Sequence, residues 1–441
     1  MNANDPNRAG ALEALAGRAR QAAIRAAALS TETKNAALAA VAQALLDRQQ
    51  EIVAANRQDV RQAERDRISP VLLKRLNFDA GKLQTAVEGV RSLIALADPV
   101  GRTLRCMELE PGLELYQVTC PIGVLGIVFE SRPDALVQIS TLALKSGNAV
   151  LLKGGAEAAR TNRILAEVID TAAIRAGIPA GWLVLLETRE DVRAMLTLDR
   201  GIDLIIPRGS NAFVRYIMDN TRIPVLGHAE GVCHVYVDRD ADLEMAVRIA
   251  YDAKCQYPAV CNAAETLVVD APAAEAFLPR IQAEYDRAGV ELRGDQATRA
   301  IIACQEANEQ DWRLEYNDLI LSIRIVGGVD AAIDHINAYG SHHTDAIVTR
   351  NARTARRFLA RVDSAGVFWN CSTRFSDGYR YGLGAEVGIA TGKLHARGPV
   401  GLEGLVSTKW LLLGRGQTVA EFAGPNARQF THRALEKHYE P

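Results

Sequence analysis

"NAVLLKGGAEAARTNRILAEVIDTAAIRAG", residues 148–177, decides the fold. A short apolar run ends at Lys153 on two glycines, and a helical stretch follows until Gly177 and Pro179 close it. The same alternation extends outward. Upstream lies the β-rich run "PIGVLGIVFE" (121–130); downstream come "WLVLLE" (182–187), a helix over 189–198, "DLIIP" (203–207), a helix over 211–219 and "PVLG" (224–227). Strand alternating with helix predicts an α/β fold with a doubly wound parallel sheet. A second alternating block runs through a helix at 242–254, "ETLVVD" (265–270), a helix from Ala271, "LSIRIV" (321–326), a helix at 330–340 and "DAIVTR" (345–350). The break between the blocks is expected at 227–231.

The first hundred residues read as consecutive amphipathic helices, with Ser30 as an N-cap. "LELYQVTC" (113–120) and "LVSTKWLLLGRG" (405–416) fit neither block and are expected to form a protruding hairpin or sheet extension. A length of 441 residues suits two domains and a small appendage. Apolar residues at 48% and charged residues at 24% make the chain globular rather than disordered. A formal charge of −2 gives no global field toward nucleic acid or anionic membrane, so neither is expected as a partner and any anionic ligand needs local groups. No apolar run approaches the roughly 20 residues of a membrane span. The amino terminus lacks an apolar h-region and carries Asp5 and Glu13, so no signal peptide is expected. Seven scattered cysteines, an odd number, point to reduced thiols and a cytoplasmic location. There is no CxxC pair, and Cys255 with Cys261 lacks the spacing and the His partners of a zinc site, so no metal is expected.

In an open parallel sheet, ligands bind at the carboxyl ends of strands, where glycine turns and helix N-termini present N–H groups to anions. "LKGG", "PRGSN" and "PIGVLG" have that form. Lys153, before Gly154 and Gly155, suits a cation facing a nucleotide phosphate or ribose, or equally a solvated strand end. Arg208, Gly209 and Ser210 open a helix, with Ser210 placed as its cap. Cys261 precedes a strand beside Asn262, where polar partners can stabilise a thiolate; a buried inert thiol is the competing reading.

Seven stretches then fall into a recognisable order: "PIGVLGIVFESRPD", "SGNAVLLKGGAEA", "IPRGSN", "GVCHVYVD", "CNAAETLVV", "STRFSDG" and "GLGAEVGIATGKLHARGPVGLEGL". Together they resemble the γ-glutamyl phosphate reductases, or glutamate-5-semialdehyde dehydrogenases, the proline-pathway branch of the aldehyde dehydrogenase superfamily. The resemblance implies an NADP-binding domain (1–107 and 123–229), a catalytic domain with the nucleophile (230–398), and oligomerisation strands with a tail (108–122 and 399–441). It implies that Cys261 attacks the acyl phosphate of L-glutamyl 5-phosphate and that NADPH reduces the resulting thioester. Asn262 is grouped with this catalytic centre. Arg132 stands near the position where hydrolytic relatives place an oxyanion-binding Asn, and is implied as a second donor or as a clamp for phosphate or carboxylate. Glu230 lies near the Glu that activates water in those relatives.

For the cofactor, the resemblance implies contacts from Lys153, Gly154, Gly155, Arg208, Gly209 and Ser210, and from Glu315 to the nicotinamide ribose. Ala156 stands where NAD-preferring relatives often carry a ribose-binding Glu, which favours NADP. For the substrate it implies Ser372, Thr373, Arg374, His395 and Arg397 as partners of carboxylate and phosphate, and Glu386 as partner of the ammonium. A homo-oligomer is implied, and a separate glutamate 5-kinase is a possible associate because the acyl phosphate is prone to cyclise. A hydrolytic aldehyde dehydrogenase is the rival reading; dependence on inorganic phosphate in the oxidising direction separates the two.

Overall fold

The computed structural model describes residues 6–130, 132–228 and 230–440. The first five residues and Ser131 of the "ESRPD" stretch lie outside them. Five helices lead the chain: Pro6–Ala26, Thr31–Asp47, Gln49–Arg65, Pro70–Leu76 and Ala80–Ala95. Ser30 caps the second as expected, its side chain accepting the Thr33 N–H. These helices cover a four-stranded parallel sheet in the order Leu183–Leu186, Ala149–Lys153, Val124–Phe129, Leu204–Arg208. Helices on both faces explain why all six residues of Val124–Phe129 are buried. Each aliphatic side chain so buried contributes roughly 1.5–3 kcal/mol.

The second block forms a seven-stranded parallel sheet in the order Gln305–Glu306, Glu291–Gly294, Ile320–Val326, Ala264–Asp270, Cys233–Val237, Thr344–Val348, Gly366–Trp369. The two unplaced segments become neighbours in a four-stranded antiparallel sheet, Val406–Leu413 on Leu113–Pro121. That sheet also takes Thr103–Glu110 and Arg433–Leu435, so it begins before the expected limit of 108.

Three local expectations change. "PVLG" is no strand: only Val225 bridges to Ile205, because Pro224 and Gly227 interrupt the ladder. "PIGVLG" is no ligand turn, since Gly123 stands at the amino end of Val124–Phe129 while ligands gather at the carboxyl ends. Finally, the short hairpin Gly388–Ala390 with Gly398–Val400 returns to the first core, where Val387, Ala390, Val400, Leu402 and Leu405 are buried. This return brings the second half of the chain back across the carboxyl edge of the first sheet.

Candidate active site

Cys261 sits in the loop between the helix Leu243–Cys255 and the strand Ala264–Asp270. Its backbone is tightly held. The Cys233 thiol donates to the Cys261 carbonyl at 3.2 Å, and burial pushes that thiol well above the ordinary cysteine range, so it stays a protonated donor. Gly231 crosses so close that a Cβ there would lie 2.6 Å from Cys261 Cα and 2.7 Å from its Cβ. Asn262, on the expected catalytic list, uses its Nδ2 to donate to the Ser376 carbonyl at 2.7 Å. It thereby ties the nucleophile loop to the "STRFSDG" stretch.

That stretch brings in a cation. Arg374 is buried, donates through Nε to Gln256 at 3.0 Å, and has its backbone N–H on Ser372 Oγ at 3.3 Å. Burial and then Arg380 hold its guanidinium below the ordinary arginine range, while Cys261 pulls it the other way. Thr373 Oγ1 is buried with no partner among the described residues. Arg132, at the start of the helix Pro133–Lys145, is lowered by burial and then by the neighbouring Arg208. Two further groups were not singled out from sequence. His228 and His343 each bring a ring nitrogen to Cys261 Sγ, all three atoms within 4.8 Å of one another. The imidazole partners that local spacing denied Cys261 therefore come from distant parts of the chain.

The residues expected to meet the cofactor lie mostly at the carboxyl ends of the first sheet's strands. Lys153 ends its strand half-buried, its ammonium lowered by burial against the pull of Glu157. A Cβ on Gly154 would strike the buried Asn162 amide and crowd the Phe129 ring, whereas one on Gly155 would meet only the end of the Glu157 side chain. The Glu157 carboxylate, one residue beyond Ala156, acts on the Lys153 ammonium. Ser210 holds the extended N-cap position of the helix Asn211–Asp219, but its side chain makes no capping bond; its N–H instead meets Glu130 at 3.3 Å. A Cβ on Gly209 would also meet Glu130, at 2.9 Å. Glu315 accepts from Asn211 Nδ2 and so joins the second body to this helix start. Beneath, the fully buried Lys254 and Glu265 form an ion pair at 2.6 Å, Glu265 accepts the Asn317 N–H at 3.4 Å, and burial raises the Glu265 carboxyl against the pull of Lys254.

The remaining expected residues have their own partners. Glu386 accepts the Gly378 N–H at 2.8 Å and faces Arg208 at 3.8 Å, with burial raising its carboxyl. His395 is exposed, with Nε2 near the Gly404 carbonyl at 3.2 Å. Arg397 pairs with Asp363 at 3.1 Å and bonds the Thr391 carbonyl at 3.3 Å. Glu230 pairs with Arg215 at 3.3 Å on the rim of a cavity of about 270 Å³ that His228 also lines.

A half-buried, backbone-clamped cysteine in one sheet, with a lysine and glycine-rich strand end in the other, fits a cofactor-dependent acyl-transferring dehydrogenase. Residues 6–311 match the sequence model of the aldehyde dehydrogenase family. A γ-glutamyl phosphate reductase from Pelotomaculum thermopropionicum is 60% identical over 425 residues, 96% of this chain and 98% of that protein. The crystal structure of a γ-glutamyl phosphate reductase from Thermotoga maritima superposes with a TM-score of 0.90 at 39% identity, covering 92% of this chain and 99% of that one. An engineered glycolyl-CoA reductase with bound NADP+ shares the fold alone, with a TM-score of 0.64 at 15% identity over 91% of this chain and 96% of that one. The chain belongs to the aldehyde dehydrogenase family and, within it, to the γ-glutamyl phosphate reductases.

Proposed function

We propose that the chain reduces L-glutamyl 5-phosphate to L-glutamate 5-semialdehyde through a thioester at Cys261, the second step of proline synthesis from glutamate. The activity follows from family membership; the assignment of roles rests on the clamped position of Cys261 beside Arg374. The Cys261 sulfur attacks the acyl carbonyl, the C–O bond to phosphate breaks, and inorganic phosphate leaves with the electron pair. The loop clamps fix the sulfur, and the Cys261 N–H is the natural donor to the carbonyl oxygen as charge develops. Arg374 and Arg132 supply fixed cations for the substrate's carboxylate and phosphate. Ser372 and Thr373 line the same stretch.

NADPH, when bound, supplies the hydride that reduces the thioester. Lys153 and the turns at Gly154, Gly155, Gly209 and Ser210 are suited to hold it, with Arg208 beside them and Glu315 reaching from the second body. Lys153 supports NADP over NAD, and Glu157 opposes a 2′-phosphate at the same place. Exposed Leu104, Trp410, Leu412 and Leu413 on the antiparallel sheet support assembly with further copies of the chain. None of the described helices is long and apolar enough to cross a membrane. A reducing, cytoplasmic setting and delivery of the labile acyl phosphate by a separate kinase complete the reading.

The test runs the reaction backward, with glutamate semialdehyde, NADP and a phosphate titration followed by NADPH absorbance. Saturable dependence on phosphate is expected. Turnover without phosphate would move the chemistry to hydrolysis and give Glu230 a role as base.

A further inference from the structure

The groups around Cys261 carry more than acyl transfer requires. His228 Nδ1 lies 2.9 Å from the Ile389 carbonyl, and since a carbonyl can only accept, that nitrogen carries the proton and Nε2 keeps a lone pair. Burial lowers the His228 pKa, with Arg208 adding to this and the Ile389 bond and the Glu315 and Glu386 carboxylates opposing it. His343 is only 1% exposed, bonds Thr344 Oγ1 through Nδ1 at 2.9 Å, and leaves Nε2 buried without a partner among the described residues. An orphaned buried imidazole nitrogen costs free energy, so its retention beside a thiol and a second imidazole needs a reason. The two rings meet edge to face with centroids 5.0 Å apart.

We propose that His228, His343 and Cys261 form a three-donor site for a thiophilic divalent cation, zinc by preference, that reversibly removes the nucleophile from use. Two imidazoles and a thiolate are the donors zinc favours, each imidazole braced through its other nitrogen as metal-binding histidines commonly are. The donor edges of a tetrahedral zinc site are about 3.4 to 3.6 Å, so atoms already within 4.8 Å need to close by roughly 1 Å. Binding forms the sulfur–metal bond as the thiol proton leaves to solvent, with no change of oxidation state, and water fills the fourth position. Arg374 opposes the added charge, and the Glu315 and Glu386 carboxylates on the His228 side offset it.

The donor set stands whatever chemistry Cys261 performs, so the test needs no substrate. Cobalt(II) serves as the probe, titrated into full-length, metal-free, reduced enzyme. A thiolate-to-cobalt charge-transfer band saturating at one equivalent and displaced by zinc is expected; it should vanish in Cys261→Ser and weaken at least roughly tenfold in affinity in His343→Gln and His228→Gln. Should His343→Gln fail to fold, His228→Gln and zinc protection of Cys261 from iodoacetamide in the wild-type enzyme decide. No band, a band that survives Cys261→Ser, unchanged affinity in His228→Gln, or alkylation that zinc does not slow would each overturn the proposal.

Discussion

At the cofactor edge, Lys153, Gly154 and Gly155 form one continuous turn and Arg208, Gly209 and Ser210 another. Each is positioned by the strand before it and the helix after it. Around Cys261, by contrast, His228, Gly231 and Cys233 arrive from one stretch and His343 and Arg374 from two others, and the hairpin at 388–400 reaches over to hold His228. The first region is local. The second is a convergence, in which the geometry at one sulfur depends on several chain crossings at once.

If that contrast is sound, changes beneath or beside Cys261 should strike turnover and stability, and changes at the cofactor edge should strike binding alone. Glu265→Leu strands the buried Lys254 ammonium without its carboxylate and should cost about 3–5 kcal/mol, read as a lower urea midpoint. An unchanged midpoint would show that the pair does not brace the nucleophile strand. Gly231→Ala should push the Cys261 backbone aside and lower kcat about a hundredfold while the cofactor Kd holds. A kcat near wild type would mean that the crossing has room to give.

On the local side, Glu157→Gln removes the carboxylate beside Lys153 and should shift the ratio of NADP to NAD affinity about fivefold toward NADP, close to 1 kcal/mol, with kcat unmoved. The smallest effect concerns Asp363, whose carboxyl Lys393 and then Arg397 hold below its ordinary value of 3.8. A lowered folded pKa gives stability that is present above 3.8 and lost as pH falls through the lower folded value. Asp363→Asn should therefore cost less than about 1 kcal/mol at neutral pH, and the difference from wild type should close in acid.

The same contrast explains what could be read from the sequence. The parallel sheets are visible because strand and helix periods are local, and Lys153 with its glycines is visible because one turn carries the whole feature. Thr103–Glu110 is obscured by charges in "TLRCMELE", and Arg433–Leu435 is too short to declare itself. The influence of Glu157 on Lys153 is not legible in the sequence, because it depends on how the turn after the strand places the carboxylate. His228 and His343 lie 115 positions apart with no local spacing to link them to Cys261, and Cys233 reads as core packing. Only the fold sets the imidazoles at the Cys261 sulfur and the Cys233 thiol at its carbonyl. His395 and Arg397, which the motif made prominent, bond Gly404, Thr391 and Asp363.

The most direct test of the Cys261 assignment is mass spectrometry of enzyme quenched during turnover with L-glutamyl 5-phosphate and no reduced cofactor. A γ-glutamyl adduct on the peptide carrying Cys261, released by hydroxylamine and absent from Cys261→Ser, is the predicted result, with turnover of that variant down at least about a thousandfold. An unmodified Cys261 alongside undiminished turnover in the serine variant would contradict the account.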